Sequence, residues 1–317
     1  TISIVTPSYN QGHFLEATIR SVLNQEYPSI EYIIIDGGST DASVEIIRRY
    51  ERRLSYWRSE PDRGQADAIN TGLARATGDI LGWLNSDDTL LPGALQRVAA
   101  NFQKRPRAGV IYGDALNTDA RGQVVGVRKG RPYSLAAMIE DNLIPQPAAF
   151  FSRQAWLKHG PLDLDLHYVM DRAFWLRIAE DMELHYVPET WATMRRHDAA
   201  KTARDSVQVK LEEKRLLDDY FGREHVPAMA LAARGAAYGR LHYYLGLNLL
   251  QQGDYQAAAY ALKASLHYQL FHRRVVVVLA LLLSARLRSN RLAFLYPQGV
   301  QLLRRWFRRG RLAESKR

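Results

Sequence analysis

The chain has 317 residues, 47% of them hydrophobic and 24% charged, a globular composition with length enough for two domains. It has no cysteine, which excludes disulfide scaffolds, thiolate metal sites and cysteine nucleophiles and fits a reducing compartment. The net charge of +10 is unevenly placed: residues 1–202 hold 23 Lys+Arg against 25 Asp+Glu, residues 203–317 hold 20 against 8, and residues 272–317 alone hold 12 against 1. Basicity confined to one end suggests a polyanionic surface as partner, membrane or nucleic acid. The longest apolar run, residues 275–283, is too short to cross a bilayer.

In chain order, residues 2–5 read as a strand, and the turn-rich Thr6-Pro7-Ser8-Tyr9-Asn10-Gln11-Gly12 follows. Leu15, Ile19, Val22 and Leu23 recur at helical spacing. An isoleucine-rich strand over 31–35 ends at Asp36-Gly37-Gly38, and Ser39-Thr40-Asp41 offers a cap to the helix of Val44, Ile46 and Ile47. Residues 55–57 suggest a third strand, a polar loop spans 59–67, and a helix covers 68–76. The strand over 80–84 ends in Asn85-Ser86-Asp87-Asp88, Pro92 suits the first turn of a helix, and 110–112 is one more strand. This alternation predicts an α/β fold with a mostly parallel sheet flanked by helices, over residues 1–202. Residues 203–317 form a second, all-α region. Within it, Tyr243-Tyr244-Leu245-Gly246, the turn Gln252-Gly253-Asp254 and then Tyr255, Ala258, Ala259 and Ala261 read as one tetratricopeptide-like helix hairpin.

In open parallel sheets ligands bind beyond the carboxyl ends of the strands. Three strand ends carry polar groups: Thr6 to Asn10, Asp36, and Asn85 to Asp88. The last group is either a turn or the seat of Mg²⁺ or Mn²⁺, which take one or two carboxylates plus phosphate oxygens. Asp36 can accept from a base N–H or a ribose hydroxyl, or serve the Gly37-Gly38 bend. Asp41 reads as a helix cap. Asp67 and Asn70 share one face of a helix start, where Asp67 also suits a cap. Asp171 opens a helix carrying Phe174, Trp175, Ile178 and Ala179, as cap, as catalytic group or as both. Arg195-Arg196-His197 ends a strand-like stretch ahead of Lys201-Thr202.

Five blocks of residues 1–202 together resemble family 2 glycosyltransferases of the GT-A fold: Thr6-Pro7-Ser8-Tyr9-Asn10, Ile35-Asp36-Gly37-Gly38-Ser39-Thr40-Asp41, the stretch 62–72 with Asp62, Asp67 and Asn70, Asn85-Ser86-Asp87-Asp88, and Met170-Asp171 with Trp175-Leu176-Arg177. The resemblance implies that Pro7, Ser8 and Tyr9 lie along a nucleotide, with Asn10 and Asp62 in the same donor pocket. It implies that Asp36 binds the base, usually uracil, and that Asp67 and Asn70 face the donor. Asn85-Ser86-Asp87 occupies the place of the family's Asp-x-Asp metal motif; with Asn85 first, Asp87 is the expected metal ligand and Asp88 lies near the donor sugar. Asp171 matches the base position, with Met170 where a preceding acid is common, and His197 matches a position that adds a metal or diphosphate contact. The implied reaction is inverting transfer from a UDP-linked nucleotide-sugar, with Mn²⁺ or Mg²⁺, to a saccharide or lipid-linked acceptor in surface polysaccharide or glycan assembly. Gln146-Pro147-Ala148-Ala149-Phe150-Phe151 would border the acceptor.

Beyond residue 203 the family explains nothing. Arg286, Arg288 and Arg291, then Leu302-Leu303-Arg304-Arg305-Trp306-Phe307-Arg308-Arg309, suit a helix lying in an anionic membrane interface or a solvated basic face. The expected location is cytoplasmic, peripheral on the inner face of the plasma membrane through residues 272–317. No nucleic-acid module accompanies the arginines, so no nucleic acid is expected. Two other readings stand beside transfer: a nucleotidyltransferase, and an inactive nucleotide-sugar-binding scaffold.

Overall fold

All seven residues of β1 (Ile2–Ser8) are buried, so both faces of this strand are covered and its sequence lacks polar alternation. In this computed structural model, which describes residues 1–197, 206–268 and 275–287, β1 runs parallel to β2 (Ile30–Asp36) on one side and to β4 (Ile80–Trp83) on the other. β3 (Tyr56–Ser59) extends the parallel set beyond β2. Ser8 pairs with Asp36 and Val5 with Trp83, so these strands end on one edge, as the β/α alternation predicts. Helices α1 (Gly12–Leu23), α2 (Ser43–Tyr50) and α3 (Gln65–Arg75) supply the crossovers. Leu15, Ile19 and Val22 of α1 join Ile46 and Ile47 of α2 in one buried cluster with Ile2, Ile4 and Ile34. Asp41 is a cap, as expected: its carboxylate accepts from Ser43 N at 2.9 Å and from Gly12 N at 2.9 Å, tying the starts of α2 and α1 together.

Past β4 the sheet becomes mixed. β8 (Ala149–Ser152) is antiparallel to β4 and to β6 (Ala108–Thr118), while β9 (Glu183–Arg195) returns parallel to β6. β5 (Thr89–Leu90) pairs with β9, and β7 (Val124–Arg128) with β6. The order is β3-β2-β1-β4-β8-β6-β9-β5. Helices α4 (Ala94–Lys104), α5 (Leu135–Glu140), α6 (Arg153–His159) and α7 (Met170–Ile178) complete this α/β unit, which spans Thr1–Arg204. One expectation changes here. Ala149, Phe150 and Phe151 are strand residues exposed by 2% or less, so they cannot border an acceptor; Gln146 and Pro147, just before them, do reach the cleft.

An aromatic block joins the end of β4 to α7. Trp83 stacks on Trp175 with centroids 5.3 Å apart and planes 9° from parallel; Phe151 packs edge-on against both, and Phe174 packs tilted against both. The strand that leads to Asp87 and the helix that carries Asp171 thus share one rigid support. Trp175→Ala is expected to cost about 3–5 kcal/mol in chemical denaturation. Trp175→Phe should cost much less, because the indole Nε1 is buried with no acceptor among the described residues and its loss offsets part of the lost packing. Equal destabilisation by both substitutions would contradict this account.

The second unit, Asp205–Arg317, holds four helices among its described residues: α8 (Ser206–Phe221), α9 (Ala228–Gln252), α10 (Tyr255–Tyr268) and α11 (Val275–Arg286). α9 and α10 form the hairpin expected around Gln252-Gly253-Asp254. Gly253 ends α9 with φ +82, and Asp254 caps α10 through Ala257 N at 3.0 Å. Tyr243, Leu250, Ala258 and Leu262 bury together with Val278, Leu281 and Ala285 of α11. Among the described residues no helix is long and apolar enough to cross a membrane. Arg288, Arg291, the 302–309 run, and Lys201 and Thr202 lie outside the described residues.

Candidate active site

β4 hands its carboxyl end to a turn that is held from every side. Thr18 of α1 reaches Ser86 O at 3.0 Å and Asp88 O at 2.7 Å from below. Arg195, at the end of β9, donates its backbone N–H to Asp88 Oδ1 at 2.9 Å and its Nε to Asp87 O at 3.0 Å. The Arg195 guanidinium also lies 4.7 Å over the Phe14 ring. Asn85 accepts from Gln65 at 2.8 Å and donates to Gln146 at 3.2 Å, and Gln146 in turn donates to Trp83 O at 2.8 Å. The Asn85 amide is therefore committed to the wall. Asp88 is buried at 3% exposure, and burial followed by the charge of Asp87 pushes its carboxyl well above the ordinary range. Asp87 is different: its Oδ2 lies 3.1 Å from His197 Nε2, and its side chain remains partly exposed.

α7 places Asp171 in its first turn. Asn142 donates to Asp171 Oδ2 at 3.0 Å while its own Oδ1 accepts from Ile144 N, which fixes the amide's orientation. The next residue, Arg172, is buried and donates to Met138 O and Ile139 O at 3.2 and 2.7 Å, clamping the carboxyl end of α5 to the start of α7. Burial raises the Asp171 carboxyl above the ordinary aspartate range; hydrogen bonds from the Arg172 N–H and Asn142 only partly oppose it.

These groups open on one cleft of about 710 Å³. Of the expected site residues, Pro7, Ser8, Tyr9, Asp62, Asn85, Asp87, Asp88 and Asp171 line it, and His197 reaches it through Asp87. Tyr9 stands 62% exposed at its mouth, whereas Ser8 is 3% exposed and its Oγ has no partner among the described residues.

Four expected donor contacts do not line the cleft. Asp36 is fully buried, and its carboxylate accepts from Gly38 N, Ser39 N, Ser39 Oγ and Ser59 Oγ at 2.6–3.1 Å, which holds the loop after β2 in shape. Asn10, at φ 51, brackets Ser39 and Thr40. Asp67 is held by Arg63 at 3.0 Å, which keeps its carboxyl below the usual range. Asn70 grips the backbone of Leu162 with both ends of its amide, at 2.8 and 2.9 Å. The sequence reading missed Gln65, Trp83, Asn142, His167 and Tyr168 as site residues; they come to the site from a helix start, a strand end and two loops, which no local motif links.

The profile of Glycosyl transferase family 2 matches residues 3–157. An uncharacterized glycosyltransferase of Mycobacterium tuberculosis is 34% identical over 185 residues, covering 56% of this chain and 69% of the relative. The chain belongs to glycosyltransferase family 2. Two solved structures share the fold of this family 2 enzyme. Staphylococcus aureus TarS 1-349 in complex with UDP-GlcNAc aligns with a TM-score of 0.62 at 15% identity, covering 94% of this chain and 92% of that one. Mannosyltransferase PcManGT from Pyrobaculum calidifontis, in complex with GDP-Man and Mn²⁺, aligns with a TM-score of 0.59 at 20% identity, covering 95% and 86%.

Proposed function

We propose that this glycosyltransferase moves a sugar from a UDP-linked donor to a saccharide hydroxyl by a single inverting displacement, with Asp171 as the base. The observation that carries the reading is the division of labour among the carboxylates lining the cleft. Among the described residues these are Asp62, Asp87, Asp88 and Asp171. Asp88 accepts from the Arg195 backbone and Asp62 from Gly64 N, and Asp87 pairs with His197. Asp171, oriented by a neutral amide and raised by burial, is the group free to take a proton. In the step, the acceptor oxygen bonds to the anomeric carbon as the bond to phosphate breaks. The hydroxyl proton passes to Asp171, and the bonding pair leaves with the nucleoside diphosphate. His167, Tyr168 and Met170 surround Asp171 with ring and thioether surface suited to a sugar face, which supports a saccharide acceptor in polysaccharide or glycan assembly.

The donor set fits a divalent cation. Asp87 Oδ2 and His197 Nε2, 3.1 Å apart, can turn to one ion. No group of three His, Cys, Asp or Glu that could hold a metal occurs among the described residues, so phosphate oxygens must complete its shell, the usual habit of Mg²⁺ and Mn²⁺. A bound cation would offset charge on the departing diphosphate.

The test is incubation of the enzyme with a panel of labelled UDP-sugars, saccharide acceptors and Mn²⁺. The expected products are a glycoside of inverted anomeric configuration and a nucleoside diphosphate. Release of pyrophosphate would instead assign a nucleotidyltransferase, and donor binding with no turnover would assign a scaffold.

A further inference from the structure

The ribbon of β6 and β7 carries a charge that the α/β unit otherwise lacks. Residues 1–202 hold 25 acids against 23 bases, yet 119–131 hold Arg121, Arg128, Lys129 and Arg131 against Asp119 alone. The Asp119 carboxylate is used within its own turn, where it accepts from Arg121 N and Gln123 N at 2.9 Å. Arg131 is paired with Asp141 at 2.6 Å. Arg128 has no carboxylate partner among the described residues. It is half-buried and donates to the backbone O of Asn142 at 2.6 Å. The sheet sets its direction. Met194 of β9 lines the cleft and pairs with Asn117 of β6, and Asn117 pairs with Gly126 of β7. Arg128 lies two residues beyond Gly126, so it stands on the same face of the ladder as Met194. Asn142 then links it to the base: its carbonyl receives Arg128, and its amide holds Asp171 Oδ2 at 3.0 Å.

We infer that the acceptor is an anionic glycan, and that Arg128 receives its carboxylate or phosphodiester group beside the hydroxyl that Asp171 deprotonates. The inference rests on the glycosyl-transfer reading of the cleft. A half-buried guanidinium without an anion is costly. Burial pushes the Arg128 pKa below its ordinary range, and repulsion from Arg131 and Arg196 adds to this; attraction to Asp141 and Asp171 relieves it only in part. The Asn142 carbonyl occupies one edge of the guanidinium, and the planar fork suits a carboxylate or phosphate lying across its other donors. A second cation stands beside it: Arg196 Nε reaches Asn117 Oδ1 at 3.2 Å, on the same ladder. Cations on an edge strand also guard a sheet against pairing with another chain, but that role asks for exposure, which Lys129 has and Arg128 lacks. The donor diphosphate is the other anion of the reaction. It is drawn to Asp87 and His197, the pair proposed for the cation, whereas Arg128 is tied to the base.

Two variants test it. Arg128→Met keeps the apolar stem and removes the charge; Arg128→Lys keeps the charge and removes the fork. Calorimetry on the full chain, loaded with UDP and Mn²⁺, measures binding of a short oligogalacturonate, its methyl ester and a short glycerol-phosphate oligomer. UDP affinity and melting temperature are recorded for each variant. One of the two anionic oligomers is expected to bind the wild type roughly tenfold or more tightly than the uncharged ester. Whichever binds tighter identifies the source of the charge, carboxylate or phosphodiester. Arg128→Met should lose that advantage and keep UDP affinity, and Arg128→Lys should recover part of it. Anionic oligomers that bind no better than the ester overturn the inference. So do anionic oligomers that bind Arg128→Met as tightly as wild type, which would place them on the basic residues 272–317. In both cases the transfer reading stands. Loss of UDP affinity in Arg128→Met would also overturn it, assigning the residue to the donor diphosphate. If wild type binds no UDP, the transfer reading itself falls.

Discussion

Asp171→Asn is expected to abolish sugar transfer while leaving UDP affinity near wild type and raising the melting temperature at neutral pH. Loss of a positioned base removes a factor of about 10²–10⁴ from kcat. Donor binding should persist, because Asp171 is proposed to act on the acceptor hydroxyl and not on the nucleotide. The stability gain follows from the sign of the carboxyl's shift. Two influences oppose each other at this position. The helix N-terminus and two hydrogen bonds favour the charged form, and burial disfavours it; burial prevails, so the folded-state value lies above the unfolded one. Below the unfolded-state value, about 3.9, both states carry the proton and the group costs nothing. Between the two values the unfolded chain ionises while the fold keeps its proton, so the cost grows, and above the folded-state value both states are charged and the full cost remains. The Asn variant lacks that cost, so its advantage should appear near pH 7 and vanish in strong acid. The wild-type acid limb of kcat/KM should correspondingly lie above the ordinary aspartate range. An Asn variant that is less stable at pH 7, or that retains turnover, would remove Asp171 from the role of a strained base.

That opposition between activity and stability explains what could be read from the chain in advance. Strand ends are local events: an apolar run such as residues 31–35 stops, polar residues follow, and the edge on which they open is dictated by parallel pairing. This is why Ser8 and Asp87 could be set on one edge from the strand pattern, whereas Asp62 and Asp171 were placed only by the family resemblance. What each carboxylate does there depends on how many donors surround it, and those donors come from afar. Ser59 reaches Asp36 across 23 residues, and Arg195 reaches Asp88 across 107. Local pattern cannot distinguish Asp36, buried within its own loop, from Asp62, which lines the cleft. The antiparallel half of the sheet was hidden for a related reason. β8 is four residues long, and β9 pairs with β6 through several register shifts, which erase a clean period-two signature. Asn142 and Gln146 lie in loops whose amides carry no motif, yet they aim Asp171 and Asn85.

Asp87→Ala is expected to reduce transfer by about 10²–10³ or more and to abolish the Mn²⁺-dependent part of UDP affinity, leaving a weaker, metal-independent remainder. The reasoning turns on which acid of the Asn85–Asp88 turn can give its oxygens to an ion. Asn85 is occupied by Gln65 and Gln146. Asp88 is buried and accepts from the Arg195 backbone, so rotating it outward would cost that bond and strand the Arg195 N–H. Asp87 makes its side-chain contact with His197 alone among the described residues, at 3.1 Å, and both ends of that pair can turn together without unpicking the turn beneath them. Asp88→Asn should therefore behave differently, lowering the melting temperature while keeping Mn²⁺ stimulation of nucleotide binding. His197→Ala should weaken Mn²⁺ affinity less than Asp87→Ala does, because the carboxylate carries the charge that attracts the ion. Titrating Mn²⁺ into each variant at fixed UDP separates the cases. Mn²⁺ stimulation surviving in Asp87→Ala and lost in Asp88→Asn would reverse the assignment and move the ion to the buried side of the turn.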